Sequence, residues 1–303
     1  MEIIKLNKKP FQYLPPRRES LLSQTQKLLR RAGLRARKGL AQHFLVDREV
    51  LGLLVSAAQI TPGDFVIEVG PGLGTLTTEL AKKSGQVVAV ELDEKMIAIV
   101  ERELAPFRNV TIIKKDVLTV APEVLLREAG IEKPSRGYKV VANLPYYITS
   151  PVLRHFLEAK DKPQSMVVMV QKEVAEEITA KPGKMSLLSV GVQFYGEPEI
   201  VSYVPSGSFY PAPEVDSAIL RIIPYSRQVV EENETEGFFS LVRAGFGTAR
   251  KQLGNSLALG LELPKEEALS LLAGAQIIPK RRAETLTLEE WARLWRVYSE
   301  VGY

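Results

Sequence analysis

The sequence predicts an α/β fold: a parallel sheet covered by helices on both faces, followed by a smaller all-helical unit. Two observations predict the sheet. Short apolar runs of the kind found in buried strands recur between residues 65 and 171, and each is followed by a stretch of helical periodicity. A third observation predicts the helical unit, because only helix-like patterns remain from Glu231 onward.

Residues 1–20 contain Pro10, Pro15 and Pro16 and little periodicity, which reads as an extended arm, and Ser20 to Arg31 reads as a short basic helix. Residues 48–58 put Leu51, Leu54, Val55 and Ala58 on one helical face. Pro62-Gly63-Asp64 then turns the chain into FVIEV (65–69), the first strand. Helix 74–83, strand 86–92, helix 94–105, strand 110–116, helix 120–129, strand 138–143, helix 150–158, strand 165–171 and helix 172–179 follow in alternation. The pattern breaks after about residue 185: 186–195 reads as helix, and 199–204 and 217–223 read as strands joined by a Pro-rich loop. Helices over 235–246, 249–259, 265–272 and 287–300 close the chain. The expected organisation is a basic extension at 1–34, an α/β domain at 35–227 and a helical domain at 228–303.

A chain of 303 residues is long enough for both units and a sizeable core. Its 45% hydrophobic and 25% charged residues are the balance of an ordinary soluble globular protein. There is no cysteine, which excludes a disulfide framework, a Cys-based zinc site and a Cys nucleophile. His43 and His155 are the only imidazoles, so a multi-histidine metal site is excluded as well and no metal is expected. No apolar run approaches the ~20 residues of a membrane span, and the N-terminus lacks the apolar core of a signal peptide. A cytoplasmic monomer with no membrane partner is expected. Charge is uneven: residues 1–38 hold eleven Lys/Arg against Glu2 and Glu19, a net +9, which leaves −5 for the remainder. Such an arm suits a polyanionic partner and equally suits a solvated tail.

The stretch FVIEVGPGLGTLT (65–77) puts Gly70, Gly72 and Gly74 where the first strand gives way to the first helix. Glycines there allow a sharp turn and close backbone approach to a ligand. The spacing is G-x-G-x-G and not the G-x-G-x-x-G of dinucleotide enzymes, which suits S-adenosylmethionine, a ligand with no phosphate to seat on a helix N-terminus. Glu91 ends the second strand, placed to accept both ribose hydroxyls. Asp116 ends the third, placed to accept from the adenine amino group. Either carboxylate alone reads as a solvated strand end or helix cap, but all three features fall at the C-terminal ends of neighbouring strands, which favours a nucleoside site.

The fourth strand ends in Asn143-Leu144-Pro145-Tyr146, followed by Tyr147-Ile148-Thr149. Methylating an exocyclic adenine amine requires turning a nitrogen lone pair, delocalised into the ring, toward the methyl carbon in line with the departing sulfur. Two acceptors gripping the two N–H bonds accomplish this: the Asn143 side-chain oxygen and a backbone carbonyl of the Leu144–Pro145 segment. The Tyr146 ring stacks on the base, and Pro145 stiffens the turn. No strong base is needed, because the methylated aryl ammonium loses its proton to water.

These motifs, with AQHFL (41–45) and FYPAPEVDSAIL (209–220), resemble the KsgA/RsmA-type ribosomal RNA adenine dimethyltransferases over roughly residues 38–300. The resemblance implies a Rossmann-like, seven-stranded S-adenosylmethionine-dependent methyltransferase fold with a small all-α C-terminal domain. It implies two methyl transfers to each of two adjacent adenosines near the 3′ end of the small-subunit (16S) rRNA, with the small ribosomal subunit as partner and a role in its biogenesis. It also implies that His43 and Leu45 line the cofactor site, that Gly70 approaches the methionine part, Glu91 the ribose and Asp116 the adenine, and that Asn143 touches both cofactor and target amine. Phe209 resembles the aromatic that closes on the base opposite Tyr146. The chain departs from the family pattern at Ala41, usually Gly, at His43, often Asn, and at Glu214, usually basic.

In the C-terminal unit Arg243, Arg250, Lys251, Lys280, Arg281, Arg282, Arg293 and Arg296 are candidates for phosphate contacts, with a flipped, unpaired adenine as the expected mode of recognition. Three rival readings stand beside the main one, of which a small-molecule or DNA adenine methyltransferase is suggested by the likeness of N-L-P-Y to the D-P-P-Y of DNA enzymes, although no DNA-reading domain is recognisable. Large-subunit rRNA adenine N6-methyltransferases of the macrolide-resistance type share an N-x-P-Y-type motif, but Tyr147 and FYPAPEVDSA favour the small-subunit branch. Non-catalytic nucleic-acid-binding relatives of the transcription-factor type would suit the basic arm, but the intact glycine, Glu91, Asp116 and NLPY series favours retained methyl transfer.

Overall fold

The computed structural model describes residues 19–34, 43–132, 137–248 and 250–302. The extended arm expected at 1–20 lies almost wholly outside the described residues, as do Ala41 and Gln42.

In chain order the helices and strands are α1 (Leu21–Arg31), β1 (Phe44–Leu45), α2 (Arg48–Ala57), β2 (Phe65–Val69), α3 (Thr75–Ala81), β3 (Gln86–Glu91), α4 (Glu94–Leu104), β4 (Val110–Lys114), α5 (Pro122–Glu128) and β5 (Tyr138–Asn143). There follow α6 (Thr149–Leu157), β6 (Ser165–Gln171), α7 (Lys172–Ile178), α8 (Leu187–Tyr195), β7 (Gly196–Val204), β8 (Phe209–Tyr210), β9 (Ser217–Pro224), α9 (Thr235–Phe246), α10 (Leu253–Gly260), α11 (Lys265–Gly274) and α12 (Leu288–Glu300). Seven strands form one sheet in the order β4-β3-β2-β5-β6-β9-β7. The first five are mutually parallel, and β9 runs antiparallel to both β6 and β7.

The central strands are mostly apolar because both faces are covered. Alternate residues divide between two cores. Ile67, Val69, Val88, Val90, Val140 and Ala142 face α5, α6 and α8, whereas Val66, Val87, Val141 and Val167 face α2 and α3 through Leu51, Leu54, Leu76 and Leu80. The helices begin at sequence-encoded caps. Asp47 accepts from the Glu49 and Val50 amides at the start of α2, Asp93 from Lys95 at the start of α4, and Thr287 and Glu290 form a reciprocal capping box on α12.

The first core continues from the sheet into α9–α12 without a break. Phe194 of α8 stacks on Phe238 of α9 at 5.0 Å and meets Phe239 edge-on at 4.9 Å. Trp291 of α12 is fully buried against Gly245 of α9, where a Cβ would lie 2.4 Å from the indole. The helical unit therefore packs on the sheet domain through an apolar seam.

Several boundaries differ from expectation for local reasons. The third strand stops at Lys114, and Asp116 instead caps a short 3-10 turn by accepting from the Leu118 amide at 3.0 Å. The next helix starts at Pro122, where the missing N–H costs nothing. The helix expected at 249–259 begins at Leu253. The strand expected at 199–204 extends back to Gly196, and Pro198 is accommodated because β7 is an edge strand. The two-residue ribbon β1–β8, pairing Phe44 with Tyr210 and Leu45 with Phe209, was too short for periodicity to show.

Candidate active site

From β2 the chain steps outward to β3 and β4 and then returns to β5 on the other side of β2. Ligands of open α/β sheets sit at such a switch point, beyond the C-terminal strand ends. A cleft of about 270 Å³ opens there. His43, Leu45, Gly70, Glu91, Asn143, Leu144, Pro145 and Tyr146 all line it. Residues from four separate parts of the chain thus converge on one cavity.

The turn after β2 forms the floor. Gly70 has φ +69° and Gly72 φ +56°. A Cβ on Gly72 would come within 3.3 Å of the Phe44 ring, so this glycine answers both a left-handed backbone and a close aromatic neighbour. At the end of β3, Glu91 Oε1 accepts from the Leu92 amide at 2.8 Å and the Asp93 amide at 3.0 Å, which fixes the carboxylate against the wall. Burial raises its pKa, and the hydrogen bonds from the Asp93, Leu92 and Gly72 amides oppose the rise.

The β5 end supplies the opposite wall. Asn143 Nδ2 donates to the His43 carbonyl at 3.0 Å, which leaves Oδ1 as the free acceptor end of the amide. Leu144 is buried. The Pro145 carbonyl accepts from the Ile148 amide at 3.1 Å and is thereby committed to the turn. The Tyr146 hydroxyl lies 2.7 Å from Ser217 Oγ of β9. Burial lifts the Tyr146 pKa above the ordinary tyrosine value, so the phenol stays neutral. The His43 ring stacks on Tyr146, with centroids 5.7 Å apart and planes at 22°, and its Nδ1 lies 2.7 Å from the Pro211 carbonyl. One face of the Tyr146 ring is therefore already occupied.

Two expected site residues lie off the cleft wall. Asp116 is half-buried one strand beyond Glu91, linked to it by the Lys115 amide, which donates to the Glu91 carbonyl at 3.1 Å. Phe209 is 3% exposed and packs in the second core with Leu45, its partner across the ribbon. Of the basic residues, Arg281 is committed to Glu290, at 2.5 and 2.9 Å, and to Thr285. Arg243 instead lines a groove with Arg154 between α6, α8 and α9.

Sequence reasoning passed over Glu68, which sits in the cleft wall at 1% exposure with no hydrogen-bond partner for Oε2. The signal was present: an acidic residue inside the apolar run FVIEV is unusual in a strand buried on both faces. Burial pushes this carboxyl up to about 8, against the pull of the neighbouring Thr77 hydroxyl, and the Glu91 charge adds to the rise. Glu68 is therefore protonated at neutral pH. Because folding raises the pKa, its stabilising contribution is complete below the ordinary value of 4.5 and is lost as pH climbs toward about 8. Urea denaturation across that window should show wild type losing stability relative to Glu68→Gln, which keeps the shape without the titration. Parallel curves for the two proteins would show that the carboxyl is not held neutral.

The residues present fit S-adenosylmethionine. A glycine turn permits close approach, a carboxylate fixed by two backbone amides could accept from hydroxyls, and Glu68 Oε2 is buried in the wall without a hydrogen-bond partner.

Comparison with known proteins shows the family and the fold. The family model described as ribosomal RNA adenine dimethylase matches residues 33–300. A relative named ribosomal RNA small subunit methyltransferase A, from Dehalococcoides mccartyi (strain CBDB1), is 54% identical over 280 residues, covering 92% of this chain and 94% of the relative. One of the same name from Moorella thermoacetica is 45% identical, covering 90% and 96%. Among solved structures, the 23S rRNA methyltransferase ErmE is 28% identical with a TM-score of 0.67, over 84% of this chain and 99% of its own. A dimethyladenosine transferase from Plasmodium falciparum shares the fold with a TM-score of 0.73 at 24% identity, over 86% and 98%.

Proposed function

The chain belongs to the ribosomal RNA adenine dimethylase family, and from that premise we propose that it dimethylates the N6 amines of two adjacent adenosines in the 3′-terminal helix of small-subunit rRNA. It is an S-adenosylmethionine-dependent rRNA adenine methyltransferase. The observation that carries the residue-level reading is the orientation of Asn143, whose amide nitrogen is spent on the His43 carbonyl. Its oxygen is then the end available to a target N–H.

S-adenosylmethionine, when bound, supplies a methyl group already activated on a sulfonium, so the proposed chemistry calls for no metal. Glu91 would hold the ribose, Gly70 would lie along the methionine part, and Asp116, at the next strand end, would take the adenine amino group. His43 and Leu45 would close the entrance. Asn143 Oδ1 and the Leu144 carbonyl would accept the two N–H bonds of the target amine, because the Pro145 carbonyl is used by the turn. This pre-orients the nitrogen lone pair. Tyr146, anchored by Ser217 and backed by His43, offers its remaining face to the base. Phe209 would reach the base only if the β1–β8 ribbon shifted, since it is buried there.

The small-subunit assignment is favoured by 54% identity to a small-subunit enzyme against 28% to a large-subunit one. We propose that it acts as a monomer. Among the described residues no helix is long and apolar enough to cross a membrane, and we place the enzyme in the cytoplasm with its ribosomal substrate. The helical unit, residues 228–303, is assigned to rRNA contact. The test is transfer of labelled methyl groups to unmodified small and large ribosomal subunits side by side. Labelling of the small subunit alone is expected; labelling of the large subunit alone would move the assignment to the macrolide-resistance branch.

Tyr147 extends this reading to the lip of the cleft. It is 72% exposed and directly follows the base-stacking Tyr146. A base stacked on an aromatic ring is worth ~1–3 kcal/mol. Tyr147→Ala is expected to raise KM for small subunits about tenfold with the Kd for S-adenosylmethionine unchanged, while Tyr147→Phe retains the wild-type value. An unchanged KM in the alanine variant would remove Tyr147 from the RNA site.

A further inference from the structure

Helix α1 packs behind residues that line the cofactor cleft, and we propose that it is a working part of the cofactor site. Leu28 and Leu29 are positioning residues for the apolar wall against which S-adenosylmethionine lies. The inference rests on the reading of the cleft given above and adds an element that the family match, beginning at residue 33, leaves out.

Three cleft residues, Phe44, Leu73 and Met96, also belong to the apolar cluster that α1 joins. Leu29, 4% exposed, forms one apolar cluster with Leu73, Met96 and Ile99, and Leu28, Ala32, Leu34, Phe44 and Tyr210 pack around it. The Phe44 ring lies within 3.3 Å of the point where a Gly72 Cβ would stand. Contact is therefore continuous from α1 through Phe44 to the glycine turn that receives the cofactor.

The helix is docked at both ends. Ser20 caps it, and Arg48 Nη2 of α2 donates to the Glu19 carbonyl at 2.9 Å just before it. At its far end Gly33 takes φ +64° and the Leu34 amide donates to the Leu29 carbonyl at 2.9 Å, turning Leu34 back onto the cluster. The same sequence leaves Arg30 and Arg31 exposed, so the basic character noted from sequence belongs to one face and the buttress to the other. A close-packed wall is held in place by the atoms behind it, and a gap of even 0.5–1 Å forfeits a quarter to a half of a contact's attraction.

The test measures S-adenosylmethionine binding by calorimetry in the full-length protein. Leu29→Ala is expected to raise Kd about tenfold, with KM for small subunits and kcat at saturating cofactor near wild type. Leu28→Ala, at a half-buried position, is the milder variant for the case that Leu29→Ala unfolds, with a rise of about threefold expected. Leu29→Met, which conserves volume, should bind as wild type does. Leu272→Ala is the control: it empties a fully buried site in the helical unit and should lower the melting temperature without moving the cofactor Kd. The proposal is overturned if Leu28→Ala and Leu29→Ala leave Kd within twofold of wild type, or if Leu272→Ala raises it equally. Failure of the wild-type protein to bind S-adenosylmethionine would instead overturn the reading of the cleft.

Discussion

Replacing Asn143 by alanine is expected to reduce methyl transfer by about two to three orders of magnitude, the loss typical when one pre-placed hydrogen-bonding group that acts on the transition state is removed. The amide is held at 3.0 Å from the His43 carbonyl by its nitrogen, so its oxygen needs no reorientation when substrate arrives. On this proposal, without it the amine nitrogen would keep its lone pair delocalised into the ring's π system and would not be turned toward the methyl carbon. Asn143 is half-buried at a strand end, so the fold should survive. The expected signature is a collapse of kcat with a nearly unchanged denaturation midpoint. Asn143→Asp is the informative companion: it keeps an acceptor oxygen but loses the donor that fixes it, and should retain partial activity. Near wild-type turnover in the alanine variant would show that the amine is oriented by something else.

The second large effect is expected at Glu91. Ribose hydroxyls hydrogen-bond to a carboxylate at ~1.5–3 kcal/mol per charged bond, so Glu91→Ala should weaken S-adenosylmethionine binding about tenfold to a hundredfold. The effect should appear in the Kd and KM for cofactor and leave KM for ribosomal subunits alone. The pH dependence follows from the same environment. Burial raises the Glu91 pKa, so cofactor affinity should begin to fall at a higher pH than an ordinary glutamate would set, as protonation removes the charged acceptor. Binding titrations at descending pH read this directly. A Glu91→Gln variant should be weak and flat across the same range. If wild type and Glu91→Gln bind equally at neutral pH, the ribose contact is misassigned.

The sheet was legible because each central strand is buried on both faces and reads as a mostly apolar run, while Gly70-Pro71-Gly72 marks the switch-point turn. The candidate cleft was legible where its lining falls at strand ends, as with Gly70, Glu91 and Asn143. It was less so where tertiary contacts decide. Asp116 appeared as the end of a strand, but its own side chain turns the chain away after Lys114. Phe209 was placed against the target base only through the family resemblance, and two residues of ribbon pairing with Leu45 bury it. The stacking of His43 on Tyr146 depends on an anchor 168 residues away, the Pro211 carbonyl, and no local pattern carries that. Arg281 looked like one phosphate contact among several until the fold set Glu290 against it. Glu68 was readable in principle, since its charge contradicts its strand, and contradictions of that kind mark functional sites.

The central claim is that the Asn143–Tyr146 turn holds an adenine amine before a bound methyl donor. The most direct measurement is nucleoside analysis of small-subunit rRNA after reaction of unmodified subunits with S-adenosylmethionine and this protein. The account predicts N6,N6-dimethyladenosine at two adjacent positions in the 3′-terminal helix, and none with Asn143→Ala. Methylation at a ring carbon, a ribose hydroxyl or a base other than adenine would contradict it.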